Sequence, residues 1–379
     1  MKFFAARRTI HFRTPVFGEG VLREGEIYYS YSQFAREAVQ NGIGEIVSPG
    51  EIPFITMTKR NLRHAGKEIK KILLLFAGGL GDAVILGMVL PSIEKALTMS
   101  FDICCSEEKW RYILMPMGLN GSWVPYPPSM PALRCYDAVL TDITRFFYTR
   151  EGISTSPLLQ LCKGFGLDPN HLVPPSYRID DAIRNRMRLP DTSGLRAGVN
   201  FDSNGAVKSY PVRMQPRLLS EFESSGFEIF LFGVRSAGED LIDANVAHDL
   251  RGRTTIPELA ALLEQMDVVV GVDSFVANLA NALGIPVIVL LSTTSPSFFS
   301  MHRHITCLVS GLDCSPCFEV FDHCPKGNKE CQAFYHPSIS PRVVVTSAMK
   351  RLSRIYAEAL HQRRAASKGP FLKQRESVQ

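Results

Sequence analysis

From Lys71 onward, short uninterrupted apolar runs alternate with longer amphipathic stretches. The runs are KILLLFA (71–77), MSFDICC (99–105), YDAVLTDI (136–143), RAGVNF (196–201), FEIFLFG (227–233), DVVVGV (267–272) and IPVIVLL (285–291). They carry few polar residues, as strands buried on both faces of a parallel sheet do. Between them lie helical patterns. In TTIPELAALLEQM (254–266), Thr255 and Glu258 are spaced as a capping box, with Pro257 in the first turn. Strand–helix alternation of this kind predicts an α/β fold wound in right-handed crossovers. The segment LPDTSGL (189–195) separates two blocks that each open on a fresh strand. Two Rossmann-like halves facing a cleft follow, over residues 56–188 and 189–345.

Residues 1–55 pattern differently. Short β-type runs, RRTIHF, EGEIYYSY and GEIVS, are punctuated by the glycine turns FGEG and NGIG. A helical stretch, SQFAREAVQ, ends before Gly42. These residues predict a small, separate β-rich module, and 56–70 reads as a polar, basic linker. Tyr28, Tyr29 and Tyr31 suit either an interface or strand packing. At the other end, residues 346–364 predict a helix packed back across the domains, followed by a solvated tail to residue 379.

The chain has 379 residues, 45% of them hydrophobic and 21% charged, with a net charge of +5. This is the composition of a soluble protein with more than one core. No apolar run is long enough for a membrane span. The N-terminus lacks the form of a secretory signal, so a cytoplasmic location is expected. The weak positive charge gives no reason to expect a nucleic-acid partner.

Four segments carry candidate chemistry. AGGLGD (77–82) links a strand to a helix, where glycines allow close ligand approach and the helix N-terminus favours an anion. A dinucleotide fingerprint fails there, because Val84 stands where the third glycine belongs, although Asp102 lies near the place of a ribose-binding acid. Asp82 reads as a helix-capping carboxylate or as a general base facing the cleft. In VVVGVDSFVANLANALG (268–284), Asp273 or Ser274 caps a helix whose first N–H groups suit a diphosphate. Thr293 and Thr294 follow the next strand. NFDSNGAVKSYP (200–211) places Lys208 on a loop as a point charge for phosphate.

Fourth, CSPCFEVFDHCPKGNKEC places Cys314, Cys317, Cys324 and Cys331 within 18 positions. In a reducing compartment nine cysteines argue against a disulfide framework. Four thiolates with one C-x2-C pair suit a tetrahedral structural site, and softness alone allows zinc or iron. His323 reads as solvent-facing, Cys307 as a buried strand residue, and Cys135 and Cys162 as core thiols.

Taken in order, these motifs resemble glycosyltransferase family 9, the bacterial heptosyltransferases. Leu80-Gly81-Asp82 matches the family's Leu-Gly-Asp loop. Lys208-Ser209-Tyr210-Pro211 is similar to its Lys-x-Trp-Pro, and Asp273-Ser274-Phe275-Val276-Ala277-Asn278-Leu279-Ala280 is similar to its Asp-Ser-Gly-x-x-His-x-Ala. Phe275 and Asn278 depart from the pattern. The N-terminal module and the four cysteines resemble the autotransporter heptosyltransferase subgroup. The resemblance implies a GT-B fold with a four-cysteine finger at 314–331, iron favoured over zinc, and a homo-oligomer. It implies inverting transfer of heptose from ADP-heptose to serine hydroxyls of an autotransporter adhesin. Asp82 would be the base, and Lys208 would face the diphosphate in place of a divalent metal. Gly81, Asp273, Ser274, Phe275, Asn278, Thr293 and Thr294 would bind the donor. The alternatives are a family 9 enzyme acting on lipopolysaccharide or another glycan, and an inactive nucleotide-sugar binder.

Overall fold

The computed structural model describes residues 1–48, 55–57, 69–141, 156–192, 194–234, 246–317 and 324–367. The N-terminal module contains β1 (Lys2–Ala6), the hairpin β2 (Ile10–Thr14) and β3 (Gly18–Leu22), β4 (Ile27–Ser30), α1 (Ser32–Gln40) and β5 (Gly44–Val47). β1 lies between β4 and β5 in an antiparallel sheet. The helix stops where Gly42 turns to φ +65°, a conformation that costs a residue without Cβ little.

Phe4, Leu22, Tyr28, Ala35 and Ala38 give the module a small core of its own, and it also packs on the following domain. Phe3, Phe17 and Tyr29 share one core cluster with Leu73, Leu75, Val124, Tyr126 and Val139 of the following domain. The Phe17 and Tyr126 rings stack at 3.7 Å between centroids, and the Tyr31 N–H donates to the Tyr126 hydroxyl at 2.9 Å. Tyr28 and Tyr29 are buried and Tyr31 is half-buried, so these tyrosines are core residues and not a free interface. Aromatic rings dominate such junctions because each buries a large apolar area.

The first parallel sheet comprises β6 (Ile55–Met57), β7 (Lys71–Leu75), β8 (Ser100–Cys104), β9 (Trp123–Val124) and β10 (Ala138–Leu140), in the order β6-β10-β7-β8-β9. Residues 55–57, at the head of the expected linker, form an edge strand of this sheet; residues 58–68 lie outside the described set. α2 (Leu80–Leu97) leaves β7 and is buried along most of its length, which explains its apolar residues on every side. α3 (Pro157–Phe165) packs beside it. The short α4 (Asp181–Arg186) leads into the second half, where Arg184 pairs with Glu264 at 2.8 Å and Arg186 with Glu258 at 2.9 Å.

The second sheet has six parallel strands. They are β11 (Leu195–Asn200), β12 (Phe227–Phe232), β13 (His248–Asp249), β14 (Val268–Val272), β15 (Val287–Leu291) and β16 (Ile305–Val309), in the order β13-β12-β11-β14-β15-β16. Its helices are α5 (Gln215–Ser224), α6 (Ile256–Leu263) and α7 (Phe275–Ala282). The Thr255–Glu258 capping box forms: the Thr255 N–H donates to the Glu258 carboxylate at 2.9 Å. α8 (Pro341–Ser367) begins on a proline, a residue suited to a first turn. Val344, Val345, Ala348 and Leu352 pack into the core of the second sheet, so this part of the helix buttresses the second half. Exposed Cys135 is not a core thiol; Cys162 is buried as expected.

In both sheets the strand order reverses beside a key loop. The reversal falls between β7 and β10 in the first and between β11 and β14 in the second. Ligands collect outside the carboxyl ends of strands at such points.

Candidate functional site

A cleft of about 630 Å³ opens between the two halves, within the usual range for small-molecule sites. Gly81, Asp82, Lys208, Asp273, Ser274, Phe275, Asn278 and Thr294 all line it. The structure therefore brings together eight of the nine candidate site residues, which lie on three separate segments and on the loop after β15. Thr293 is the exception. It is buried, its hydroxyl finds no hydrogen-bond partner among the described residues, and it is absent from the cleft wall.

The first wall is the start of α2. Gly79 is the N-cap and Asp82 the third helical residue; the Gly79 N–H donates to Asp82 Oδ2 at 2.8 Å. Asp82 is thus both the capping carboxylate and a cleft residue, 7% exposed. The two readings of this residue are compatible in one geometry. Gly81 explains how the halves approach. A Cβ there would lie 3.4 Å from Asn278 Nδ2 and 3.7 Å from the Phe275 Cα, so the N-termini of α2 and α7 nearly touch. Phe275 takes part in this contact as a half-buried residue against the core.

The second wall is the start of α7. Ser274 is the N-cap, and its hydroxyl donates to Asn200 Oδ1 at 2.7 Å. Asp273 accepts from Lys208 Nζ at 2.7 Å and from the Thr294 hydroxyl at 2.6 Å. Burial pushes the Asp273 carboxyl up, but Lys208, with Thr294 and the nearby His302, outweighs it and holds the group below its usual range. Lys208 is accordingly not a bare point charge. Its ammonium has three donors, and Asp273 holds it at the cleft wall.

Asn278 is fixed on both sides. Its Nδ2 donates to the Ser274 carbonyl at 3.0 Å, and its Oδ1 lies 3.2 Å from His302 Nε2. His302 was not singled out in the sequence, and no local pattern marks it.

Other cleft residues missed in the sequence are Asn200, Asp202, Gly233 and Thr254. Their signal was positional: each lies at or just beyond the carboxyl end of a strand or at the entry to α6. Gly233 has φ +123°, and a Cβ there would stand 2.6 Å from Asn200 Nδ2, so this corner needs glycine twice over. Asp102 serves structure instead: it pairs with Lys71 at 3.1 Å and accepts from the Tyr136 hydroxyl at 2.9 Å.

The cysteine segment lies beyond β16. Cys314, Cys317, Cys324 and Cys331 are all half-buried and free of disulfides. Burial raises the Cys331 thiol, and its neighbours Cys317, Cys324 and Cys314 each push it further, so the four sulfurs share one neighbourhood. Around Cys324, backbone groups of Lys326 and Asn328 and the Asn328 side chain lower the thiol's pKa. Yet among the described residues no three His, Cys, Asp or Glu side chains are placed to hold a metal ion. The donor chemistry fits a soft ion, while the ligand geometry is not assembled. Residues 318–323, including His323, lie outside the described set. No described helix is long and apolar enough to cross a membrane.

Residues 169–327 match the family model of glycosyltransferase family 9 (heptosyltransferase). Over that stretch the chain resembles family 9. The family 9 stretch takes in the whole second sheet, Lys208, Asp273, Ser274 and three of the four clustered cysteines; Cys331 lies just beyond it. No curated protein matches the chain. Solved structures share its fold. The ADP-heptose lps heptosyltransferase II of E. coli is 14% identical with a TM-score of 0.52, over 76% of this chain and 99% of that one. The bacterial iron-containing dodecameric glycosyltransferase TibC from enterotoxigenic E. coli H10407 is also 14% identical, with a TM-score of 0.58 over 83% of this chain and 82% of that one. TibC in complex with ADP-D-β-D-heptose, again 14% identical, gives a TM-score of 0.56 over 83% and 81% of the two chains.

Proposed function

We propose that this protein is an inverting GT-B glycosyltransferase that moves heptose from ADP-heptose to serine hydroxyls of an autotransporter passenger protein. The observation that carries the reading is the meeting, in one cleft, of a buried carboxylate on α2 with a lysine and a capped helix N-terminus on the opposite half. Transfer to a hydroxyl needs these two functions. A serine oxygen attacks well only if its proton has somewhere to go, and Asp82 takes it. The departing diphosphate gains charge as the sugar bond breaks, and Lys208 and the N–H groups at the head of α7 meet that charge. In this scheme no divalent ion is needed at the diphosphate. Lys208 keeps its pair with Asp273 and directs its remaining protons toward the donor. Ser274 and Thr294 complete the diphosphate wall, and Phe275 and Asn278 shape the side facing Gly81.

The donor is favoured by the family 9 match and by TibC, which binds ADP-D-β-D-heptose. The protein acceptor is favoured by the β-rich module seated on the first domain and by the cysteine cluster, features that accompany protein acceptors in the resembling subgroup. We assign the cluster a structural metal held by Cys314, Cys317, Cys324 and Cys331, iron before zinc because TibC contains iron. A closed set of four thiolates leaves no open coordination position for catalysis. An oligomeric assembly is proposed on the same comparison. The enzyme would act in the cytoplasm.

The test is mass spectrometry of a β-solenoid passenger incubated with the full chain and ADP-heptose, run beside the Asp82→Asn variant. Heptose-sized adducts on serines are expected with the native chain, and turnover about 100-fold lower or less with the variant. Adducts on lipopolysaccharide alone would replace the acceptor. A variant with native turnover would remove Asp82 as base.

A further inference from the structure

Lys109 is an unusual residue to find inside the first domain. It is 7% exposed, although lysines are rarely so buried without a partner. Its ammonium donates to the Val16 carbonyl at 2.9 Å and stands 5.6 Å from the centre of the Phe76 ring. The carbonyl and the ring face each favour a cation, but neither carries a full negative charge.

The geometry leads from this lysine to the cleft. Phe76 immediately precedes the glycine loop. A Cβ on Gly78 would meet the Phe76 ring at 2.5 Å and the Asp82 Cβ at 2.9 Å. Ammonium, ring, loop and carboxylate therefore pack one upon the next. Burial lowers the Lys109 pKa, and the charges that act against this loss are those of Cys105, Asp82 and Glu108. Burial pushes the Cys105 thiol up to about 12, so it is neutral near pH 7. Glu108 is exposed to solvent, which screens it. Asp82 is the buried carboxyl group of the three. Lys208 and Asp273, which line the same cleft from the other half, form a 2.7 Å pair whose fields oppose each other.

We propose that Lys109 is a positioning residue for Asp82: its buried ammonium supplies the positive potential that keeps this carboxylate ionised, and the N-terminal module holds the ammonium in place. The hold comes from the turn between β2 and β3. The Phe17 N–H donates to the Thr14 hydroxyl at 2.9 Å, which sets the Val16 carbonyl. Gly18, at φ +74°, brings the turn to within 3.5 Å of the Ser106 side chain, measured from a Cβ built on the glycine. The module is thereby part of the electrostatics of the cleft. This inference rests on Asp82 being the base.

The test is carbon-13 NMR titration of the Asp82 carboxyl in the full chain, its resonance assigned by loss in Asp82→Asn. In Lys109→Met, an apolar side chain of similar length, the Asp82 midpoint should rise by about one unit or more, because the nearby opposite charge is gone. Glu108→Gln should leave it in place. Transfer rates of Lys109→Met should fall most at low pH and recover as pH rises, which a merely structural role would not produce. An unchanged midpoint in folded Lys109→Met overturns the inference. The titration needs no substrate, so it stands apart from the acceptor and donor assignments. If Asp82→Asn stays active while the midpoint shifts, the base assignment fails and the electrostatic pairing remains.

Discussion

His302 should make this protein lose stability in mild acid, by an amount the structure allows to be worked out. Its side chain is 5% exposed and lies edge-on to Phe299, with ring centroids 5.2 Å apart. Burial lowers its pKa from 6.5 to about 4, against the opposing pull of Asp273 and of the backbone bond to Phe299. The unfolded chain therefore takes up this proton first. The contribution of His302 is unaffected above about pH 6.5, and stability falls as pH drops from there toward 4. At pH 5 nearly every unfolded copy is protonated there and only a small fraction of folded copies are. The difference is about 2 kcal/mol, since each pKa unit is worth about 1.4 kcal/mol. For domains of this size about 2–4 °C of Tm accompanies each kcal/mol. Replacing the ring by an uncharged amide in His302→Gln keeps a donor for Asn278 Oδ1 and removes the titration. Thermal unfolding at pH 7.5 and 5.0 should show the native chain losing about 4–8 °C more than the variant. His304, lowered by burial and then by Arg351 and Arg303, gives both proteins a shared slope of the same sign. Asp273, whose pKa is depressed, loses its contribution only below about pH 4, outside the window. Parallel losses in the two proteins would refute the assignment of buried, neutral His302.

Two further outcomes follow from the site and the cysteine cluster. Asp273→Ala strands Lys208, which is 17% exposed, and removes the acceptor of the Thr294 hydroxyl. It should cost about 3–5 kcal/mol in denaturant unfolding, with Asp273→Asn costing less because it still accepts from Thr294. Purified native protein should carry about one iron or zinc ion per chain by elemental analysis, and Cys331→Ser should release it. A metal-free chain in which Cys331→Ser leaves proteolysis of the 314–331 segment unchanged would reject the structural site.

Much of the fold was legible because parallel strands and their helices write themselves locally. VIVLL can be read as a doubly buried strand without knowing its neighbours, and the Thr255–Glu258 box lies within four residues. The cleft loops were legible for the same reason: small residues between a strand and a helix mark a place where backbone can approach a ligand closely. Thr293 and Thr294 show the limit. Of these adjacent residues with the same side chain, Thr294 donates to Asp273 while the buried Thr293 hydroxyl finds no partner among the described residues, and only tertiary packing decides which does which. The tyrosines of the first module were ambiguous because an apolar ring looks the same whether a partner or the next domain covers it.

By itself, the sequence determined the order of strands and helices, the glycine turns at their carboxyl ends, and the set of groups able to take a proton or meet a phosphate. These depend on propensities and spacings within a few residues. Tertiary structure alone decided that Lys208 pairs with Asp273, that Asn278 leans on His302, and that Lys109 lies beneath the loop of Asp82. Each of these joins residues far apart in the chain, and the charges and hydrogen bonds matter because burial there removes the water that would otherwise screen or replace them.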